Sequence, residues 1–361
     1  MQPTAGSGVP LSPGAKILVL RLDSLGDCVL SSSFFIGLRQ LFPKAHLSGA
    51  FSEMTAPLFE ACPLFDRVFA LPRGDCEAWL AQIEPPYDAV ICARWDVDHW
   101  LARRFALMVG APVRIGFDRG AYRHDEPRDG WAGAYFTHML RVPSQLHEVA
   151  KGQAMLEFLG ATAPAPKPQL WLPPEASVQA EEIIRTAALG RFVTLGIWAA
   201  WERRIWPTEH FLPVIDALAA ARPGLRFAIL GGPDAVAAGR ELEAARPGRV
   251  TNQAGELPIA VTAALAARAV LHIGMDSGPM HLAAAAGVPV VEISCHPRTG
   301  SADHPNAPER FGPYATRSRI LRPERPVPPC TDGCIKAHEP HCIQQIAPAA
   351  VIEAALALLA P

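Results

Sequence analysis

Residues that could form an anion-binding turn lie in the segment 269–289, which reads AVLHIGMDSGPMHLAAAAGVP. Its apolar start, Ala269 to Ile273, predicts a buried strand that ends at Gly274. Pro279 suits the first turn of a following helix because its missing N–H would be unpaired there. Asp276 or Ser277 could cap that helix. A tight turn that leads into a helix N-terminus attracts anions, phosphate above all. An ordinary well-capped strand–helix unit is the alternative, and His281 in the first helical turn favours the anion site.

A carboxylate in the first half of the chain is the second candidate. Asp27 follows the first predicted strand, in the run Arg21–Asp27 (RLDSLGD). At the carboxyl end of a strand, its carboxylate could act as a general base toward a bound hydroxyl group. Alternatively, Asp27 only caps the helix that follows, which aspartate does well. From the residues alone, the capping role is the favoured interpretation.

Two adjacent arginines follow the first predicted strand of the second half. Arg203 and Arg204 lie in the run Gly196–Pro207 (GIWAAWERRIWP), which also carries three tryptophans. A guanidinium pairs with two phosphate oxygens at once, so this turn is suited to a diphosphate. A solvated basic turn is the alternative, although the neighbouring tryptophans disfavour a plain surface loop.

Alternating strand and helix patterns must position these turns. Buried apolar runs alternate with helical segments through both halves, which predicts parallel sheets wrapped by helices. Along the chain we expect a disordered tail (1–15), a first Rossmann-like domain (16–160), a Pro-rich linker (161–174), a second Rossmann-like domain (175–345) and a C-terminal helix (346–361). We interpret residues 297–329 as a long loop. Two such domains predict a ligand cleft near the carboxyl ends of their strands.

Bulk composition bounds the class of protein. With 361 residues, half of them hydrophobic, the chain is long enough for two cores of ordinary size. The net charge of −2 argues against nucleic acid as the main partner. The chain has no apolar run of transmembrane length, and residues 1–15 lack the features of a signal peptide. We therefore expect a cytoplasmic protein whose eight cysteines are reduced.

Three motifs together resemble the lipopolysaccharide heptosyltransferase family, which is glycosyltransferase family 9. They are Arg21–Asp27 (RLDSLGD), Arg204–Pro207 (RIWP) and Gly274–Ala284 (GMDSGPMHLAA), and they occur in the family's order. His147 and Glu148, which open a predicted helix, are also similar. The resemblance implies an α/β architecture of the GT-B type, in which two Rossmann-like, doubly wound domains face a central cleft.

The resemblance also implies a role for each matching residue. Asp27, in the acceptor-side N-terminal domain, matches the catalytic base, and Arg204 matches a basic residue at the donor diphosphate. The donor-binding turn of the nucleotide-sugar-binding C-terminal domain matches Asp276, Ser277, Gly278 and His281. Because a diphosphate would repel its carboxylate, we assign Asp276 to sugar hydroxyls or to the helix cap. A single inverting displacement is implied, with the leaving-group charge stabilised by Arg204 and the helix N-terminus and with no metal or other cofactor.

The activity implied by the resemblance is transfer of a heptose from ADP-heptose to a lipopolysaccharide core or a related acceptor. An anionic glycolipid acceptor would explain weak candidate acceptor-binding residues in the first domain, namely Arg94, Arg103, Arg119 and Arg123. Contact with the inner membrane would then be peripheral. Two alternatives stay open: a nucleotide-sugar epimerase on the same fold, and a sugar-binding protein that has lost catalysis. The turn Trp198–Trp201 (WAAW) favours the second alternative, because it differs from the small hydroxyl residues that the family often has at this place.

A cysteine cluster near the C-terminus is a weak candidate for a structural metal site. Cys330, Cys334 and Cys342 lie near His338 and His341, and these residue types bind zinc or iron. The spacing differs from that of a standard zinc ribbon. It therefore favours a structural or idle cluster over a catalytic metal.

Overall fold

The structure is a computed structural model, and it describes residues 9, 11–94, 101–118, 132–328, 330 and 340–360. The chain divides into two compact units, Met1–Trp171 and Leu172–Pro361. Each unit holds a six-stranded sheet in which neighbouring strands run parallel. These sheets and their flanking helices confirm the predicted α/β class. Within the described ranges, no helix has both the length and the apolar character needed to cross a membrane.

The first unit is built around its first strand. Its strands are β1 (Lys16–Arg21), β2 (His46–Ser52), β3 (Arg67–Leu71), β4 (Ala89–Cys92), β5 (Val113–Phe117) and β6 (His138–Leu140). Its helices are α1 (Leu25–Leu41), α2 (Cys76–Gln82), α3 (Ala102–Met108), α4 (Ala132–Tyr135) and α5 (Glu148–Phe158). In the sheet order β3-β2-β1-β4-β5-β6, strands β2 and β3 lie on one side of β1, and strands β4, β5 and β6 lie on the other side. The carboxyl ends of β1 and β4 therefore flank a topological switch point, where open α/β sheets bind ligands.

Close packing of α5 against α1 positions the start of α5. A Cβ atom added at Gly152 would lie only 3.1 Å from the Cβ of Phe34, so glycine allows the two helices to approach. His147 caps α5 by accepting a hydrogen bond from the Val149 N–H group at 3.2 Å. This arrangement places Glu148, the first residue of α5, beside the carboxyl end of β1.

The second unit repeats the architecture. Its strands are β7 (Phe192–Gly196), β8 (Arg226–Ile229), β9 (Val250–Asn252), β10 (Leu271–Met275), β11 (Val290–Ile293) and β12 (Ser318–Leu321). Its helices are α6 (Pro174–Thr186), α7 (Phe211–Ala221), α8 (Val236–Ala245), α9 (Ile259–Ala266), α10 (Gly278–Ala285), α11 (Pro308–Phe311) and α12 (Pro348–Leu359). The order β12-β11-β10-β7-β8-β9 places the switch point between β7 and β10.

Two glycines face each other across that switch point. Gly196 of β7 pairs with Gly274 of β10. A Cβ atom on Gly274 would lie 2.7 Å from the Gly196 carbonyl oxygen and 2.9 Å from Nε2 of His272. The imidazole of His272 therefore occupies the space that a larger residue at position 274 would need.

Several elements differ from the sequence predictions. The interpretation of 297–329 as one long loop is wrong, because α11 and the edge strand β12 lie within it. Gly274 lies inside β10, although its type suggests a strand end. Strand β12 is short, and its sequence (SRIL) has no apolar run long enough to indicate a strand.

Candidate active-site residues in the two units

Six charged side chains gather at the carboxyl end of β1 in the first unit. We call them the Arg21 cluster, and its members are Arg21, Asp23, Asp27, Arg94, Glu148 and Lys151. Three are acidic and three are basic, so their formal charges cancel within the cluster. Burial of so many charges is tolerated because each is paired with an opposite charge.

Arg21 is the centre of this cluster and is almost fully buried. Its Nε lies 3.0 Å from Oδ2 of Asp23, and its Nη2 lies 3.2 Å from Oδ1 of Asp27 and 3.7 Å from Oε2 of Glu148. A further N–H group donates to the Ala93 carbonyl oxygen, just beyond β4. Arg21 thus ties the two strand ends at the switch point to the first turns of α1 and α5.

Asp27 is the most accessible carboxylate of the Arg21 cluster. Its side chain is 20% exposed, whereas those of Asp23 and Glu148 are 2% and 5% exposed. Arg21 and the hydroxyl of Ser24, which donates to Oδ2 of Asp27 at 2.5 Å, hold the carboxylate in place. A general base needs a carboxylate that is held in place and accessible to the acceptor, and Asp27 meets both conditions.

The alternative role of Asp27 as a helix cap is wrong. Helix α1 begins at Leu25 with Ser24 as its N-cap residue, so Asp27 lies inside the first turn. Its negative charge still stabilises that turn through the helix dipole.

The arginines predicted to bind the acceptor have different environments. Arg94 donates to Asp23, so its charge is already compensated within the Arg21 cluster. Arg103 is half-buried on α3. Arg119 and Arg123 lie outside the described residues.

In the second unit, a buried tryptophan fixes the turn that carries Arg204. Trp206 is fully buried, its Nε1–H donates to the Ile346 carbonyl oxygen at 3.0 Å, and its ring packs edge-on against Phe211. The short 3-10 helix Glu202–Arg204 immediately precedes it. By contrast, the ring of Trp201 is 55% exposed, with the guanidinium of Arg203 4.8 Å from its centre. The turn is thus anchored at one end and accessible at the other.

Arg204 contacts residues from two other turns of the second unit. Its Nη1 donates to Oδ2 of Asp276 at 3.1 Å, and its Nε and Nη2 donate to Oδ1 of Asn306 at 3.0 and 2.5 Å. His281 Nε2 lies 3.3 Å from Oδ1 of Asp276. We call Arg204, Asp276, His281 and Asn306 the Arg204 cluster. Among the described residues, these three hydrogen bonds leave two of the five N–H groups of Arg204 uncommitted, on a side chain that is 18% exposed.

The carboxylate of Asp276 is held in its charged form. Burial alone would raise its pKa, but Arg204 and then His281 outweigh burial and lower the pKa below its usual range. Of the two predicted caps, Ser277 is the N-cap residue of α10, so the capping prediction is wrong for Asp276. The Ser277 hydroxyl donates to the Met275 carbonyl oxygen and makes no capping bond.

The turn at the start of α10 has the predicted order. Ser277 and Gly278 are half-buried, and His281 is buried in the first helical turn. No side chain caps α10, Pro279 has no N–H group, and Met280 and His281 donate to the Ser277 carbonyl oxygen. Among the described residues, the N–H groups of Ser277 and Gly278 are therefore the ones that this helix terminus can offer to an anion.

Two buried ionisable residues next to this turn were not predicted. Glu292 of β11 is paired with Gly274 and fully buried, and its Oε2 has no hydrogen-bond partner among the described residues. Burial, and then the charge of Asp276, raise its pKa well above the usual range, which favours the neutral form of this acid. Burial, assisted by His281, lowers the pKa of His272 to about 3, so its imidazole is also neutral.

Asn306 is a further site residue that sequence reasoning missed. It lies in the segment interpreted as a loop, and only its type gave a signal, because the chain has just two asparagines. Its N–H group donates to Nδ1 of His304 at 3.0 Å, which fixes the backbone at this point.

Comparison with known proteins decides the family. Residues 83–337 match the family described as Glycosyltransferase family 9 (heptosyltransferase), and this match spans more than half of the chain. The chain belongs to glycosyltransferase family 9. The predicted family is therefore confirmed.

The relatives of this family 9 protein include enzymes and solved structures. It is 25% identical to "Lipopolysaccharide heptosyltransferase 3" of Escherichia coli over 291 residues, which cover 77% of this chain and 82% of that protein. A family 9 glycosyltransferase from Veillonella parvula superimposes with a TM-score of 0.81 at 23% identity, with 98% of this chain and 99% of that chain covered. An E. coli heptosyltransferase solved with ADP gives a TM-score of 0.69 at 18% identity, with coverages of 95% and 99%. The same enzyme solved with ADP-2-deoxy-2-fluoro heptose gives 0.66. The structural likenesses confirm the predicted GT-B fold.

Proposed function

We propose that this glycosyltransferase transfers a heptose from ADP-heptose to a lipopolysaccharide core or a related acceptor. The observation that carries the proposal is the Arg204 cluster, in which a half-buried guanidinium keeps two N–H groups available at the switch point of the second sheet. The relative solved with ADP-2-deoxy-2-fluoro heptose and the relative named lipopolysaccharide heptosyltransferase 3 support this choice of donor and acceptor.

On the donor side, positive and partially positive groups take the diphosphate. The uncommitted N–H groups of Arg204 bind its oxygens, and the N–H groups at the start of α10 add a second anion-binding element. As the sugar–phosphate bond breaks, negative charge grows on the leaving phosphate oxygen, where Arg204 stabilises it. Asp276 orients Arg204, and we propose that it also contacts the sugar hydroxyls.

On the acceptor side, Asp27 acts as the general base. Its carboxylate accepts the proton of the acceptor hydroxyl while that oxygen forms a bond to the anomeric carbon. The acceptor oxygen attacks from the side opposite the phosphate, which leaves with the bonding pair of the sugar–phosphate bond, so this single displacement inverts the anomeric configuration. The mechanism requires no cofactor.

We further propose that the acceptor is an anionic glycolipid. The protein would be cytoplasmic and would reach this acceptor by peripheral contact with the inner membrane. Arg103, Arg119 and Arg123 are the candidate contacts. Arg94 is a weaker candidate, because Asp23 already compensates its charge.

Calorimetry with the full chain tests the donor. We expect ADP-heptose to bind at least about tenfold more tightly than matched UDP- and GDP-sugars. Tighter binding of a UDP- or GDP-sugar would overturn the proposed donor. Conversion of the donor in the absence of any acceptor would favour an epimerase instead.

Asp27→Ala tests the reaction. Loss of a general base predicts transfer slowed by about 10²–10⁴-fold, with donor affinity changed less than about twofold. Glu84→Ala is the matched control, because it removes a surface carboxylate of the same unit that pairs with exposed Arg67. Transfer at the original rate by Asp27→Ala would sink the catalytic assignment.

A further inference from the structure

Three metal-ligand atoms converge at the C-terminal side of the second unit. The Sγ atoms of Cys330 and Cys342 and a ring nitrogen of His341 all lie within 4.8 Å of one another. Both cysteines are buried and free of disulfide bonds, and His341 is half-buried. We call these residues the Cys-His-Cys cluster.

The separations in this cluster are close to those of a bound metal ion. Tetrahedral zinc, with Zn–S about 2.3 Å and Zn–N about 2.0–2.1 Å, holds a sulfur and a nitrogen about 3.6 Å apart. Sγ of Cys342 and Nε2 of His341 are 3.9 Å apart. Side-chain shifts of about 1 Å therefore bring all three ligands onto one ion.

A backbone amide also points at one of the sulfurs. The Val327 N–H group donates to Sγ of Cys342 at 3.3 Å. Hydrogen bonds of this kind stabilise a thiolate and orient it as a metal ligand.

We propose that Cys330, His341 and Cys342 bind one thiophilic divalent metal ion, zinc or ferrous iron. On binding, the two thiols release their protons to solvent, and the imidazole donates a nitrogen lone pair. Two thiolates then balance the charge of the ion, which allows it to be buried. We assign the ion a structural role, because none of its three ligands is a residue to which a donor or acceptor role is given above.

The position of the cluster connects it to the turn of Arg204. Cys342 begins the 3-10 helix Cys342–Gln345, which contacts the 3-10 helix Glu202–Arg204. Ile346, the next residue, accepts the hydrogen bond of Trp206. An ion at the Cys-His-Cys cluster therefore braces the segment that fixes Arg204. This inference does not depend on the identity of the donor or acceptor.

Metal analysis of the purified full chain is the first test. We expect about one zinc or iron per chain, and elemental analysis distinguishes the two ions. Release of that ion by a thiol-specific mercurial would show that thiolates hold it. A chain without stoichiometric metal that also fails to bind added Zn²⁺, Fe²⁺ or Co²⁺ would overturn the proposal, as would a Cys330–Cys342 disulfide in the native protein.

Cobalt substitution gives a readout that is independent of activity. We expect the Co²⁺-loaded protein to show thiolate-to-cobalt charge-transfer absorption, which Cys330→Ser and Cys342→Ser should weaken or abolish. Cys62→Ser is the matched control, because Cys62 is a buried free cysteine of the first unit. Cys62→Ser should keep the charge-transfer absorption. Loss of that absorption in Cys62→Ser as well would contradict the assignment.

Hydrogen exchange tests the bracing role in the wild-type chain, so it needs no variant that must fold. Metal removal should speed amide exchange in residues 202–206 and 342–346 and leave α1 of the first unit unchanged. Equal exchange in both segments with and without the ion would contradict that role.

Discussion

Arg204 and Asp276 form an ion pair between turns that are 72 residues apart in the chain, with 3.1 Å between Nη1 and Oδ2. The two side chains are only 18% and 14% exposed. A guanidinium in this setting needs its carboxylate, because a partly buried cation without a counter-charge is destabilising. Asp276 is thereby a residue that orients Arg204, in addition to any contact with sugar.

Asp276→Asn should destabilise the second unit. The change keeps the shape of the side chain but removes the charge that compensates Arg204, and we expect a loss of about 1–3 kcal/mol in the free energy of unfolding. Asp216→Asn is the control, because Asp216 pairs with Arg246 at 2.6 Å on the exposed surface of the same unit. It should change stability by less than about 1 kcal/mol. Urea unfolding compares the two, and equal effects would contradict the role given to the pair.

Arg204→Lys should weaken donor binding. A lysine keeps the charge, but it cannot bond Asp276, Asn306 and a phosphate from one planar group. We expect the Kd for the nucleotide-sugar donor to rise about 10–100-fold, the value of one or two lost charged hydrogen bonds. Arg203→Lys is the adjacent control, and calorimetry should show a smaller change there. A larger effect at Arg203 would transfer the phosphate role to that residue.

The parts of this site that the sequence predicts are those with local signals. The strand–turn–helix around Asp276 follows from an apolar run and Pro279, and Asp27 follows from its place after β1. The boundaries of the elements differ from the prediction, because β10 continues through Gly274 and α1 begins before Asp27. Local patterns locate turns well and locate their boundaries less well.

The parts that the sequence does not predict depend on tertiary contacts. Asn306 reaches Arg204 from a segment without helical or strand periodicity, so no local pattern marked it. Glu292 lies in an otherwise apolar strand (VVEI), and its neutral state arises from burial that only the folded sheet imposes. The pairing of Arg204 with Asp276 likewise needs β7 and β10 to be neighbours.

The free energy of unfolding of Glu292→Gln should increase relative to that of wild type as pH rises. The pKa of Glu292 is raised in the folded protein, so below about pH 4.5 both states hold the proton and its stabilising effect is fully present. Above that pH the unfolded chain releases the proton while the folded protein keeps it. Stability therefore falls by about 1.4 kcal/mol per pH unit until the folded pKa is reached. Glutamine does not titrate and should abolish this loss.

Urea unfolding of wild type and Glu292→Gln between about pH 5 and 8 measures that difference, and titrating groups that do not interact with Glu292 cancel in the comparison. Any change that the glutamine amide itself makes to the free energy of unfolding is the same at every pH. The test is therefore how steeply the free energy of unfolding changes with pH in each protein. Glu256→Gln, at an exposed position, should run parallel to wild type. A parallel curve for Glu292→Gln as well would show that Glu292 is charged in the fold.

Gly274→Ala should disturb the switch point of the second sheet. The added Cβ would lie 2.7 Å from the Gly196 carbonyl oxygen and 2.9 Å from the Gly196 Cα, and backbone atoms in paired strands cannot move aside without disturbing the pairing. We expect a loss of about 1–3 kcal/mol in the free energy of unfolding, together with faster amide exchange in β10 and weaker donor binding. Gly224→Ala is the control, because a Cβ there would meet nothing within 4 Å. That variant should be neutral or slightly more stable, since alanine restricts the unfolded chain. If Gly274→Ala matched it in stability and donor affinity, the close approach of β7 and β10 would not be what shapes the Arg204 cluster.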